Sequence, residues 1–418
     1  MATKTIDDID VAGKTVLMRV DFNVPLDDQG TITDDGRIRA ALPSIRKVLD
    51  DGGKLVLMSH LGRPKGKGFE PEFSLRPAAD RLGELLGTPV KLGPPEVVGP
   101  ATDELAGSLA PGGVLLLENL RFDAGETMPD KAKKNPDKRL TDAQQQTHDA
   151  FVQALARLGD AYVNDAFGTC HRKHASMYGV AKAIQAQGGP AVAGYLVRKE
   201  IRYLGEAVAE PKRPFVAILG GAKVSDKIGL IDALLSKVDH ILIGGAMAYT
   251  LLKAQGHDVG DSRVEEDQVD SVRGVLDRGT HQIHLPVDHV ATDDFEGGAP
   301  RTIEQVDIPD GLMGMDIGPK TVQDYEGVIG QAGTIVWNGP MGVFEKEAYA
   351  AGTQAVARAV AAATGAGAVS VIGGGDSAAA VQQMHLAEKM THVSTGGGAS
   401  LTFLEGKPMG PIEVLDEK

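Results

Sequence analysis

The chain has 418 residues, 42% of them hydrophobic, and a formal net charge of −14 at pH 7. That length and apolar content favour two or three domains with ordinary buried cores, and the acidity speaks against a broad surface for nucleic acid or anionic membrane. One cysteine, Cys170, rules out an intrachain disulfide framework. With neither a signal-like N-terminus nor an apolar run of about 18 residues, the expectation is a soluble, cytoplasmic protein engaging no nucleic acid and no membrane.

Short apolar, β-branched runs recur along the chain: "KTVLMRVDF", "KLVLMSHLG", "GGVLLLENLRF", "DAYVNDAFG", "PFVAILGGAKV", "VDHILIGGAM", "HQIHLPVDHVA", "GTIVWNGPMG", "AVSVIGGGDS" and "MTHVSTGGG". Amphipathic stretches such as "RIRAALPSIRKVLDDGG" and "DKIGLIDALLSKV" lie between them. Continuous apolar runs alternating with helices predict an α/β fold of parallel, doubly wound (Rossmann-like) sheets covered on both faces. In such sheets ligands bind beyond the carboxyl ends of the strands.

Those ends divide into two chemistries. In the first half they read Arg19-Val-Asp21-Phe-Asn23, Ser59-His60-Leu-Gly-Arg63, Glu118-Asn119-Leu-Arg121 and Asn164-Asp165. In the second they read Gly220-Gly221-Ala-Lys223, Gly244-Gly245, Asn338-Gly339, Gly373-Gly374-Gly375 and Gly396-Gly397-Gly398. Arginine forks suit a small carboxylate or phosphate, gripped bidentately. Bare glycine turns suit the contour of a polyphosphate approached by backbone N–H groups.

Two domains, each holding one anion, are expected. The boundary falls in "QGGPAVAGYLVRKEIRYLGEAVAEPKRPF": a first domain over 1–188, a connecting helix and hinge over 189–204, and a second domain over 205–401. Residues 402–418 are expected to pack back on the first domain.

In "GGAKVSDKIGL", Lys223 and Lys227 are placed on one helical turn at the positive end of a helix dipole, where phosphate binding outweighs a solvated pair. No Walker loop occurs, and "IGGGDS" does not match the dinucleotide fingerprint. Asp376 is either an N-cap or a carboxylate that reaches phosphate through Mg²⁺, since that ion binds through one or two carboxylates plus phosphate oxygens. Arg37, Arg63, Arg121 and Arg172 could each be surface charge taken singly, but their places at strand ends favour convergence. His60, His171 and His174 are either ligand contacts or satisfied structural histidines. Cys170 reads as a small packed residue, and "DKAKKNPDKR" as a solvated loop.

Taken together, "RVDFNVP", "SHLGRPKG", "LLENLRF", "VNDAFGT-HR-HAS", "LGGAKVSDKI", "WNGPMGVFE", "GGGDSAAA" and "STGGGASL" resemble, in this order, the phosphoglycerate kinase family, over Thr15 to Pro411. The resemblance implies a transferase of glycolysis, a monomer that moves a phosphoryl group reversibly from 1,3-bisphosphoglycerate to ADP, giving 3-phosphoglycerate and ATP. It implies that Asp21, Asn23, Arg37, His60, Arg63, Arg121 and Arg172 hold the glycerate substrate. Nucleotide phosphates should meet Gly221, Lys227, Asn338 and the loop Gly373, Gly374, Gly375, Asp376 and Ser377, with Mg²⁺ at Asp376. Glu345 should hold the ribose, and Gly244, Gly245, Leu312 and Val343 the adenine. Arg37, Lys223 and Gly397 should flank the moving phosphoryl group, which is transferred directly on hinge closure near Gly194 to Leu204.

A carboxylate acceptor is already ionised at neutral pH, so no general base is required, and the chain has no H-R-D signature. Two departures from the family stand out: Thr127–His148 makes the segment after "LENLRF" longer than usual, expected as an exposed loop, and Cys170 stands where alanine is common. Beside Arg172, that cysteine raises oxidation sensitivity as an alternative to simple packing. The competing readings are another ATP-dependent kinase or ligase acting on a small acid, a nicotinamide-dependent dehydrogenase, and a nucleotide-sensing binding protein. The paired cations Arg37 and Lys223 argue against the sensor, and a dehydrogenase would bind NAD without magnesium.

Overall fold

The computed structural model describes residues 3–418, Glu206 and Val208 by backbone alone. The chain forms two compact units: one made of the residues up to Ile201 together with Pro408–Lys418, the other Arg202–Lys407. The division at Ile201 falls within the helix Tyr195–Ala209.

In the first unit β1 (Thr15–Val20), β2 (Lys54–Met58), β3 (Val90–Leu92), β4 (Val114–Leu116), β5 (Ala161–Asp165) and β6 (Ala191–Ala193) form a six-stranded sheet, ordered β3-β4-β2-β1-β5-β6. Every pairing is parallel. β1, β2, β4 and β5 are almost wholly buried, because helices cover both faces of the sheet and leave no polar side for alternation. Val16, Met18, Leu55, Leu57 and Val163 form a core with Ile38, Ile45 and Val48 of the helix Gly36–Asp50.

The second unit has β7 (Phe215–Leu219), β8 (His240–Ile243), β9 (Ile283–His284), β10 (His289–Thr292), β11 (Arg301–Ile303), β12 (Met313–Ile317), β13 (Thr334–Asn338), β14 (Val369–Gly373) and β15 (His392–Val393). Six of these make a parallel sheet ordered β15-β14-β13-β7-β8-β9, packed around the buried Trp337. The remaining three form a separate antiparallel sheet, β11-β10-β12.

Two expectations need correcting. The run "HQIHLPVDHVA" is not one strand: it divides into β9 of the parallel sheet and β10 of the antiparallel one. Pro286 lies between them, and a residue with no N–H cannot continue a ladder through a sheet interior. Asp288 follows, fully buried, its carboxylate accepting from the N–H groups of Lys320 (2.8 Å) and Thr321 (2.8 Å) at the start of the helix Pro319–Ile329. The inserted Thr127–His148 is more ordered than a loop. It contains a 3-10 helix, Met128–Lys134, and half of the helix Asp142–Ala156, started by a capping box of Thr141 and Gln144. Met128 and His148 are buried, and His148 Nδ1 lies 3.0 Å from the Gly125 carbonyl.

The C-terminal segment joins the first unit by hydrogen bonds. Asn164 Nδ2 donates to the Pro411 carbonyl at 3.1 Å, Gln185 Nε2 to that of Val414 at 2.8 Å, and Lys4 N–H to that of Asp416 at 2.7 Å.

Candidate active site

Both parallel sheets contain a point where the strand order reverses: between β1 and β5 in the first unit, and between β7 and β13 in the second. Chain connections leave in opposite directions there, which opens a crevice at the carboxyl ends. The residues expected at the glycerate and at the nucleotide phosphates lie on loops and helix starts near these strand ends.

In the first unit a buried cation sits at the end of β1. Arg19 Nε donates to Ser176 Oγ at 2.9 Å, and its Nη2 lies 3.1 Å from His60 Nδ1. Ser176 in turn donates to Glu126 at 2.7 Å, so the buried positive charge is linked through a hydroxyl to a buried carboxylate. Asp21 pairs with Arg37 at 2.7 Å. Asn23 Oδ1 accepts from Gly62 N–H at 2.8 Å, and the Gly62 carbonyl accepts from Arg121 Nη1 at 2.7 Å. These bonds tie the loops after β1, β2 and β4 into one arginine-rich floor. Arg63, next to Gly62, is exposed, and among the described residues its guanidinium has no partner.

Crowding of like charges shows in the titration of this floor. Burial holds His60 well below its usual range, with Arg19 and Arg121 acting in the same direction against Asp21, so it is neutral. Burial lowers Arg121 to about 10, with Arg19 and Arg172 acting in the same direction against Glu126. Burial also presses Asp21 toward its neutral form, yet its positive surroundings and the Asn23 N–H outweigh that and keep it below the normal carboxylate range. Arg172 is engaged at two points: Nη1 by Asp130 at 2.8 Å, Nε by His171 at 3.1 Å. Cys170 is fully buried beside Asn164 and the Ala166 carbonyl, and burial pushes its thiol up to about 12. A thiol held protonated and away from solvent is a packed residue and a poor target for oxidants.

In the second unit the strand ends surround a hollow of about 760 Å³. Gly221, Lys223, Lys227, Asn338, Gly374, Gly375, Asp376, Ser377 and Gly397 all line it. Glycine is required where β7 meets β13. A Cβ on Gly220 would lie 2.0 Å from the Pro340 carbonyl, and Gly339, at φ +100°, would put one 2.1 Å from the Gly220 carbonyl. This close approach leaves backbone, not side chains, facing the hollow. The helix Gly375–Gln383 begins at the same rim and adds free N–H groups and its positive dipole end. Gly373 lies just behind the rim, as the last residue of β14.

The two lysines do not share a helical turn, as the sequence reading had them. The helix starts only at Ile228, with Lys227 at its N-cap and Lys223 in the preceding irregular turn, where the Glu265 carboxylate accepts from Ser225 N–H at 3.0 Å and from its hydroxyl at 2.6 Å. Their settings therefore differ. Lys227 is buried, its ammonium donating to Asn338 Oδ1 and, at 3.3 Å, to the Asn338 carbonyl. Burial lowers it to about 8, against the pull of Asp226 and Asp376. Lys223 is exposed, and among the described residues it has no partner.

Asn338 Nδ2 is buried without an acceptor among the described residues. Such an orphan donor beside a glycine loop suits an incoming oxyanion. Asp376 is not the N-cap, a position Gly374 takes; it sits in the first turn with its carboxylate exposed on the hollow and unpaired among the described residues. Among those residues, no group of three or more His, Cys, Asp and Glu could cage a metal. One free carboxylate beside a phosphate-type loop fits a cation shared with phosphate oxygens.

The residues expected at the adenine and ribose are more dispersed. Gly244 and Gly245 follow β8, and Gly245 packs on the Gly221 backbone at the hollow's edge. Leu312 is buried with Tyr249 and Ile308, Val343 N–H donates to the Met315 carbonyl at 2.9 Å, and Glu345 is exposed. None of these lines the hollow. Arg263, Thr402, Glu405 and Lys407 do line it, and sequence reading missed them. Arg263 stands alone in "DSRVEED" with no motif around it, and Lys407 is masked by the "KPMGP" tail; only the "GGGAS" turn just before Thr402, Glu405 and Lys407 draws attention to that wall.

The chain thus joins a backbone-lined phosphate hollow to a separate arginine-lined floor. A family model described as phosphoglycerate kinase matches residues 6–407. The phosphoglycerate kinase of Rhodopirellula baltica is 54% identical over 420 residues, with all of both chains covered. That of Chloroherpeton thalassium is 52% identical, covering 99% of each. Among solved structures, phosphoglycerate kinase from Coxiella burnetii superposes with a TM-score of 0.82 at 37% identity, covering 99% of this chain and 98% of that one. The chain belongs to the phosphoglycerate kinase family.

Proposed function

We propose that this chain transfers a phosphoryl group reversibly between 1,3-bisphosphoglycerate and ADP, with the glycerate held by the first unit and the nucleotide by the second. The observation that carries this division is the segregation of anion-binding chemistry: arginines at the β1/β5 crevice, bare backbone and lysines at the β7/β13 crevice. Asp21, Asn23, Arg37, His60, Arg63, Arg121 and Arg172 position 3-phosphoglycerate. Gly221, Lys227, Asn338 and Gly373 to Ser377 receive the nucleotide phosphates, Gly244, Gly245, Leu312 and Val343 the adenine, and Glu345 the ribose.

In the direction of ATP use, a carboxylate oxygen of 3-phosphoglycerate attacks the γ-phosphorus and ADP leaves. The attacking oxygen carries no proton, so no base is needed. Catalysis is then positioning plus charge cancellation, from Arg37, the unpaired Lys223 and the Gly397 backbone. Asp376 would hold Mg²⁺, which when bound neutralises charge on the phosphates. The proposed movement that brings the two ligands together is closure about the helix Tyr195–Ala209, which also excludes water. A cytoplasmic, monomeric enzyme acting on soluble substrates is part of the same proposal; no helix among the described residues is long and apolar enough to cross a membrane.

A coupled assay tests the reading: ATP, magnesium and 3-phosphoglycerate, with the acyl phosphate consumed by glyceraldehyde-3-phosphate dehydrogenase and NADH. Magnesium-dependent NADH loss that falls by about 10²-fold or more in Lys223→Ala supports both reaction and transfer site. ATP binding without turnover would move the substrate assignment to another small acid.

A further inference from the structure

We propose that Asp130, supplied by the inserted segment, is an internal substitute for the substrate's anion: it pairs with Arg172, competes with 3-phosphoglycerate for that guanidinium and so sets the Michaelis constant for it. This rests on the reading that Arg172 is one of the arginines that hold that substrate.

The argument begins with the guanidinium. A planar fork grips a carboxylate or phosphate bidentately through one of two edges, Nε with one Nη or the two Nη groups together. Arg172 has neither edge free. Nη1 donates to Asp130 Oδ2 at 2.8 Å and Nε donates to His171 Nε2 at 3.1 Å. A bidentate anion at either edge therefore competes with one of these partners for a shared nitrogen.

Asp130 is the one suited to leave. Its side chain is 36% exposed, against 1% for the His174 that it also contacts, at 3.0 Å. It sits in the 3-10 helix Met128–Lys134, whose following residues are mostly solvent-facing. It is also a full negative charge at any working pH. The His174 hydrogen bond, followed by the charges of His174 and Arg172, draws its carboxyl down to about 2 against the effect of burial. The same oxygen thus bridges two groups of the arginine floor, as a substrate oxygen would. Holding the fork ordered before substrate arrives favours a productive pose, while the exchange of one anion for another weakens ground-state affinity. Once Asp130 has left, it has no part in the transfer, so the effect belongs to KM and not to kcat.

The test is steady-state kinetics on the full chain with 3-phosphoglycerate as the varied substrate. Asp130→Asn removes the charge at nearly constant shape. KM is expected to fall about two- to fivefold, the range that partly exposed ion pairs support, with kcat unchanged. Asp130→Glu, which keeps the charge, is expected to stay nearer the wild-type KM, so a general loosening of the insertion is distinguishable from loss of the anion. Arg172→Gln should raise KM, and adding Asp130→Asn to it should produce no further fall. If KM for Asp130→Asn is unchanged or raised while Arg172→Gln still raises it, the proposal is overturned and the substrate site stands. If Arg172→Gln itself leaves KM unaltered, Arg172 is no substrate ligand and both readings fall.

Discussion

Lys227 shows how one residue's surroundings set a measurable property of the site. Its ammonium is buried against Asn338, and desolvation brings it to about 8, so near pH 8 a sizeable share is uncharged in the free protein. A bound phosphate favours the charged form and raises that value. Nucleotide binding near pH 8 is therefore expected to take up protons, and by linkage affinity falls as pH rises from about 8 toward the higher value of the complex. Titration calorimetry with ADP in buffers of different ionisation enthalpy reads this directly. Lys227→Gln should bind more weakly and lose the buffer dependence; an unchanged proton uptake in that variant would place the titrating group elsewhere. Loss of Lys223, exposed and without a partner among the described residues, should fall on kcat.

At the scale of elements, the start of the helix Tyr195–Ala209 depends on one buried acid. Asp165, the last residue of β5, accepts from the N–H groups of Leu196 at 2.8 Å and Val197 at 3.3 Å, while its Oδ2 is buried without a hydrogen-bond partner among the described residues. Burial raises this carboxyl to about 7 despite those bonds and Ser44. The sign follows: the folded chain retains a proton that the unfolded chain has released, so this contribution is complete below about pH 4 and is lost as pH rises to about 7. Asp165→Asn, which cannot ionise, should show a smaller drop in Tm between pH 5 and pH 8 than the parent; an equal drop would assign the dependence to another group, Asp316 being the other buried acid raised to about 7. Gly194 has to be glycine because a Cβ there would lie 2.2 Å from Asp165 Oδ1. Gly194→Ala should lower Tm by displacing the cap, a crowding effect of about 1–3 kcal/mol.

Elements were legible in the sequence to the extent that local chemistry determines them. The long apolar strands, their particular terminal residues and the split between arginine and glycine chemistry could all be read from spacing and residue type. The three-residue strands β3 and β6 carry too little pattern to be seen, and β12, "MGMDI", lacks the β-branched signal of a strand. Periodicity puts Lys223 and Lys227 on one turn because it does not register a long-range contact such as Ser225 to Glu265, 40 residues away, in the irregular turn before the helix. The Asp130–Arg172 pair was invisible for another reason: its partners are 42 residues apart, and no local pattern announces that separation.

For the whole molecule, the largest consequence of the topology is that the last residues belong to the unit formed first in the chain. Pro408–Lys418 supplies acceptors to Asn164, Gln185 and Lys4, and Asp416 N–H donates to the Ala191 carbonyl at 2.8 Å, at the β6 edge. Asn164 lies on β5, beside the β1/β5 crevice, so deleting the tail removes support from the arginine floor and none from the β7/β13 hollow, whose lining ends at Lys407. A chain truncated after Lys407 is therefore expected to lose 3-phosphoglycerate binding and to unfold in two steps by calorimetry, the first unit melting earlier. ADP affinity should stay within about twofold of the parent, since mutations without shared partners act independently. A truncated chain that loses ADP binding to the same degree would mean that the second unit does not hold its structure alone.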